Sequence, residues 1–431
     1  MYSQIPTSGA GDFTVTRNTE ARRFDSAGLI ESVASGIPRL DYYTSGGVTG
    51  CPALLVEPAA TNLAPNANLM NSFDFPTVSG GVTFTTGSTD FVAPDGTSAS
   101  INKYVGGAAS GVTQSTRYST TAITATASGI HAFSIFVKRG ATNPLDFCAI
   151  TPVGFGGVSP SPGRSFFNLA SGTAITSGAR IENYGNGWYR LISQPLTLAA
   201  GDLIGGMVFE LASTSGSVSF ATSGALNLTA YTWGSQFEAG SVATSYIPTT
   251  TGTGSRSADV ISVSGAVSGS IGQQSGTIYA EVDIRNSVTA AVLGLDNNST
   301  TDFIIVFRNS SRQITVTIRR ANGSLESIIT SSALAVGVHK IALGYTNGNY
   351  ALYINGSLAG TSTNSVSFPT SLTACRIGAN AFSSGTGDPF NDRIRAAAIY
   401  TARLTDTQLA LLTSPYTSYS SMASALSYTL G

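Results

Sequence analysis

Hydrophobic positions along the chain recur with period two. In the stretch 131–138, Phe133, Ile135 and Val137 share one face. Tyr231, Trp233 and Phe237 alternate with small or polar residues, as do Ile278, Ala280, Val282 and Ile284, and Ile314, Val316 and Ile318. Alternation rich in β-branched and aromatic residues marks half-buried strands. Asn347-Gly348 separates two such runs and Asn355-Gly356 follows, a dipeptide that favours the type I′ hairpin turn. One helix is signalled near the end. Thr405 and Gln408 have the spacing of a capping box, and Leu404 and Leu409 that of a hydrophobic staple. Pro415 stops the helix early. The expectation is an all-β chain of two tandem β-sandwiches with one short C-terminal helix. Its parts are an extended arm (1–63), a first sandwich (64–250), a linker or first edge strand (251–275), a second sandwich (276–415) and a Tyr- and Ser-rich tail (416–431).

Composition narrows the partners. Charged residues make up 10% of the 431 residues, with a formal net charge of −1, against roughly 25% charged in ordinary soluble domains. Hydrophobic residues at 42% are too many for a disordered chain. Lysine occurs only at 103, 138 and 340, and no basic cluster exists. Nucleic acid is therefore not an expected partner. A membrane is not expected either, because no apolar run approaches the roughly 20 residues of a spanning helix. The first 13 residues lack the basic and apolar regions of a secretion signal. Cys51, Cys148 and Cys375 are odd in number and widely spaced, so they imply no disulfide framework.

Three stretches of the N-terminal segment carry a resemblance: 28–31 (Gly-Leu-Ile-Glu), 37–42 (Ile-Pro-Arg-Leu-Asp-Tyr), and 51–58 with Thr61-Asn62-Leu63. Together they resemble the signature of phage head-spike, head-fibre and tail-fibre proteins. In that group a carbohydrate-binding-module-like jelly roll follows. The stretches 184–190 and 233–238, and Thr244 to Thr249, are similar to that module's late strands. Residues 276–413 resemble a concanavalin-A-like, laminin-G-like sandwich through Tyr353 to Gly356, Arg376 to Ala379, Ala398 to Tyr400 and Leu404 to Asp406. The resemblance implies a virion protein on head, collar or tail, forming a homo-oligomer, often a trimer, with capsid, collar or tail proteins and host glycans as partners. In many relatives the signature lies behind a longer anchoring segment, whereas here it begins almost at Met1. The arm either docks on the virion itself or relies on another protein.

Candidate chemistry is sparse. His131 and His339 lie in strand patterns without zinc-ligand spacing, and no nucleophile elbow accompanies them. Glycoside hydrolases need two carboxylates roughly 5–10 Å apart, and Glu281 and Asp283 sit at alternate positions of one strand, the usual placing of such a pair in a concanavalin-like sandwich. They read as the solvent side of an edge or outer strand. A polysaccharide depolymerase using them is the alternative to a non-enzymatic role. Trp188 and Trp233 could stack on sugars, but their apolar neighbours make them core. Rim loops suit glycan contact better. The candidates are Asp296, Asn297 and Asn298 after one strand, and Asn380 and Asp388 flanking the Gly- and Ser-rich loop 380–391. No cofactor is expected. Calcium binds at such rims but takes six to eight oxygens, and these residues supply only part of that set. The extended arm holds Leu29, Ile30, Ile37, Leu40, Leu54 and Leu55, so it should pack on the first sandwich or on a neighbouring copy.

Overall fold

The computed structural model describes residues 13–43, 51–65, 77–98, 101–118, 123–124, 128–153, 163–204, 206–220, 224–250, 252–264, 269–319, 326–365, 369, 371–379 and 389–415. It is an all-β architecture of layered antiparallel sheets. The α-helix among the described residues is Asp406–Thr413. No helix among them is long and apolar enough to cross a membrane.

The first sandwich has two sheets. One is centred on the long strands Gly129–Arg139 and Thr229–Ala239, flanked by Trp188–Ile192 and Ile101–Val105. The other is centred on Phe147–Val153 and Gly206–Ala212. Between them lie Phe133, Ile135, Val137, Ile150, Phe167, Phe209 and Phe237, all essentially water-free. The expected alternation of Phe133, Ile135 and Val137 holds. That of Tyr231, Trp233 and Phe237 does not hold throughout. The pairing slips between Ser134 and Phe136, and Gly234 takes a left-handed φ of +61°. Such a bulge adds a residue and flips the side chains beyond it. Phe237 thus faces the inter-sheet core, while Tyr231, Trp233 and Phe136 face outward into a second, aromatic cluster.

Among the described residues, the second sandwich pairs two seven-stranded sheets. Ile278, Val282 and Ile284 from one and Leu293, Leu295, Ile304, Val316 and Ile318 from the other fill its core. Its sheets draw on three parts of the sequence. Ala53–Val56 pairs with Asp392–Tyr400 and carries Arg39–Asp41 at the sheet edge. Thr14–Thr16 pairs with Val260–Ser264, which pairs with Ala374–Ile377. The arm is therefore built into the second sandwich. Its remaining hairpin, Ala21–Phe24 with Ile30–Val33, lies on the first, where Phe24 and Ile30 join the outward aromatic cluster. The sequence left packing on the first sandwich or on a neighbouring copy open, and the hairpin takes the first; the arm's strand pairing with the second sandwich came from no local signal.

The turns and the helix follow local chemistry. Asn355 and Gly356 both have positive φ (52° and 83°), as a type I′ turn requires. In the Asn347-Gly348 turn only Gly348 is positive, so the expected type I′ geometry is absent there. Asn347 Oδ1 instead accepts a hydrogen bond from Tyr350 Oη at 3.1 Å. The helix has the expected capping box. Gln408 N donates to Thr405 Oγ1 at 3.3 Å, and Thr405 N to Gln408 Oε1 at 2.9 Å. Leu404 and Leu409 meet in one cluster with Tyr279 and Tyr353, which seats the helix on the outer face of the sheet.

Candidate functional site

Two regions carry most of the polar chemistry, and they lie at opposite ends of the second sandwich. The first is the joint between the sandwiches. Arg39 is fully buried and donates to Glu57 at 2.6 Å, to Ser245 Oγ at 2.8 Å and to Asp259. Asp259 also accepts from Arg17 at 2.9 Å and from the Glu57 amide at 2.9 Å. Glu57 pairs with Arg256 at 3.0 Å and accepts from the Ser245 amide at 2.6 Å. Burial alone would raise the Glu57 carboxyl, but Arg256 and Arg39 hold it well below the usual carboxylate range. The arm, the exit of the first sandwich and the start of the second are thus cross-tied by desolvated charges. Tyr43 spans the same joint. It packs against Tyr184 at 4.7 Å, while Arg285 and Arg393 stand 4.7 and 4.4 Å from its ring centroid.

A narrow cleft opens here among Arg180, Glu182, Arg190, Arg285, Asp392 and Arg393. It encloses about 50 Å³, room for a few waters and not for a sugar ring. Burial pushes Glu182 up, but Arg180 and Arg190 more than offset this and leave it low. Asp392 stands the other way. Burial lifts it to about 6 even though Arg308 donates to it at 2.6 Å.

The second region is the far rim. In the strand register Asp283 and Ile284 lie at the joint end with Arg393 and Gly337, while Ser275 lies at the far end with Thr346. Asp296 ends the strand Ala290–Asp296 at that far end, opposite Ala374. The sequence placed Asp296, Asn297 and Asn298 in an open glycan loop, and the structure divides their roles. Asp296 is buried and accepts from Arg376 at 2.6 and 3.3 Å, so it faces inward and shapes the loop. Its Oδ1 also takes the Asn298 amide at 2.8 Å, in a turn where Asn298 has φ +61°. Asn297 is half-buried and holds Thr301, Asp302 and Ser299 through its amide group. Asn298, Thr300 and Thr301 are exposed. Asn298 Oδ1 accepts from Arg376 at 3.2 Å, and its Nδ2 has no partner among the described residues. Asn380 and Asp388 lie outside the described residues. Arg376, which fixes the loop, had no sequence signal as a site residue, because it comes from a strand 80 positions away.

The carboxylate pair Glu281 and Asp283 lies on Ser275–Ile284, which is an interior strand of its sheet. The expected edge or outer position is thus corrected: the arm and Asp392–Tyr400 extend the sheet past it. Each acid faces an arginine, Glu281 with Arg395 at 3.4 Å and Asp283 with Arg285 at 2.7 Å. His131 is buried and stacked on Phe237, and His339 is held by Ala335 O and Asn355. Trp188 and Trp233 are both buried. Cys148 and Cys375 are buried and Cys51 is exposed, all as free thiols. No group of three or more metal-ligating side chains occurs among the described residues.

The region 255–410 matches the family model of the concanavalin A-like lectin/glucanase superfamily, Laminin_G_3. The solved structures similar to the chain include the CBM40 module of the Ruminococcus gnavus IT-sialidase, at 18% identity, covering 33% of this chain and 83% of that one, with a TM-score of 0.29. A heptameric SAP-like pentraxin from Limulus polyphemus is similar at 15% identity over 33% and 70%, with a TM-score of 0.27. The binding domain of botulinum neurotoxin DC, solved in complex with rat synaptotagmin II, is similar at 16% identity over 36% and 39%, with a TM-score of 0.28. No curated protein matches the chain.

Proposed function

We propose that this chain is a bacteriophage virion protein of the head-fibre, head-spike or tail-fibre type that binds glycans without cleaving them, through the far rim of its second sandwich. The observation that carries the reading is the polarity of that sandwich. One end is tied to the arm by buried ion pairs, and through Arg39 and Glu57 of the arm to Ser245 of the first sandwich. The opposite end holds a loop whose exposed Asn298 side chain is held by Arg376 and whose Thr301 hydroxyl is held by Asn297 and Asp302. Polar groups converging on a rigid rim suit sugar hydroxyls, and ordering them before binding lowers the entropic cost. The lectin/glucanase family match over 255–410 supports the glycan. The signature in the arm supports the virion. The arginine facing each member of the Glu281–Asp283 pair supports binding over hydrolysis.

Purified particles labelled with an antibody to the second sandwich, together with a glycan array probed with the full chain, test the two halves. Labelled particles and a restricted set of bound host-surface glycans are expected. Unlabelled particles overturn the virion half, and an array without hits, with or without calcium, overturns the glycan half. Release of sugar fragments from host polysaccharide would restore the hydrolytic alternative.

A further inference from the structure

A second cavity lies on the first sandwich, where the arm hairpin, the loop at 91–94 and the turn at 184–188 meet. It encloses about 130 Å³ and is lined by Leu29, Phe91, Val92, Lys138, Asn186 and Trp188, among others. A cavity on the order of 150 Å³ accepts benzene; this one is open on one side, so the substituents of a larger ring can stand outside it. The walls are mostly apolar, with Lys138 set among them. Its ammonium stands 4.4 Å from the Phe91 ring centroid and 6.0 Å from that of Trp188. It donates to Asn186 O. No carboxylate pairs with it among the described residues, unlike Lys103, which pairs with Asp90 at 2.7 Å. Burial depresses its proton affinity, the signature of a cation without an anion beside it.

The cavity is built, not a gap in a loose surface. Trp188 Nε1 donates to Val92 O at 3.1 Å, and Ile30 N to Pro94 O at 2.8 Å. These bonds fix two of its walls. A ligand that completes it needs an apolar face to lie against Leu29 and Val92, with the edges of Phe91 and the buried Trp188 below it, and one anionic oxygen pair for Lys138. We propose that this cavity binds a single carboxylate-bearing pyranose, the acidic unit of a polysaccharide, with its carboxylate on Lys138. The site is separate from the far rim and stands or falls independently of the function proposed above.

The test is a titration of the full chain with glucuronate, followed by Trp fluorescence. Trp233 is fully buried and Trp188 lines the cavity, so the changing signal reports the site. Saturable binding is expected, weaker by about tenfold or more for methyl glucoside and for the Lys138→Met variant. Val92→Asp, at a position 55% exposed on the cavity wall, should abolish glucuronate binding while leaving the thermal midpoint unchanged. That variant decides the matter if Lys138→Met fails to fold. Equal affinity for glucuronate and methyl glucoside, retained binding in Val92→Asp, or no saturable signal would overturn the site. Acetate or benzoate binding as tightly as glucuronate would overturn the sugar. Asn298→Ala should leave this titration unchanged, which separates it from binding at the far rim.

Discussion

Replacing Asp259 by Asn removes the charge that two buried arginines share. Its Oδ1 takes Arg17 and its Oδ2 takes both Arg39 and the Glu57 amide, and the side chains of Asp259, Arg17 and Arg39 are 2% exposed or less. Asparagine keeps one acceptor but neutralises the site, leaving a guanidinium in a dry interior. Breaking a buried pair by removing one partner costs about 3–5 kcal/mol. Surface pairs such as Arg22–Glu20 would cost under about 1 kcal/mol. The shift in melting temperature also reports what unfolds together. If all 431 residues melt as one unit, the unfolding entropy is about 0.9 kcal/mol/K and the midpoint falls by about 3–6 °C. If the region 255–410 melts alone, the entropy is about 0.33 kcal/mol/K and its midpoint falls by about 9–15 °C. The cross-tied joint predicts one endotherm with the smaller shift. Scanning calorimetry of wild type and variant measures both. A shift under about 1 °C would refute the claim that these charges hold the joint.

Other expectations follow from the same structure. Arg376→Ala strips the counter-ion from buried Asp296, so chemical denaturation should show a loss of about 3 kcal/mol and the array hits should fall together with it. Thr405→Ala removes the helix cap and should cost about 1 kcal/mol, measured in urea. Asp392, lifted to about 6, binds its proton more tightly in the folded chain than in the unfolded one. Its contribution therefore grows as pH falls from about 6 toward the ordinary carboxylate value near 4. Glu57, held low, acts oppositely: its contribution is present above the ordinary value and is lost on further acidification. Urea midpoints of wild type relative to Asp392→Asn should rise between pH 6 and 4; parallel midpoints would contradict this.

What could be read in the sequence was local. Alternation at Ile278 to Ile284 and at Ile314 to Ile318 gave core-facing strands, because one buried face imposes period two. The Thr405 and Gln408 spacing gave the helix, because a cap is satisfied within four residues. What escaped was set by distant pairing. Nothing near Leu54 shows that its strand adds to Asp392–Tyr400, more than 300 positions away. The face of Trp233 depends on a bulge at Gly234, and a glycine in a strand pattern only hints at one. The rim residues were half legible. Asp-Asn-Asn announced a polar loop, but only the approach of Arg376 distinguishes the buried Asp296 from the exposed Asn298.

Hydrogen exchange on the full chain, with and without host-surface polysaccharide, is the most direct measurement. Added protection at the loop around 296–302 and the Ala374–Ile377 strand is the predicted result, whether or not an acidic polysaccharide also protects the cavity turn at 184–188. Protection that leaves 296–302 and 374–377 unchanged, or no change at all, would contradict recognition at the far rim.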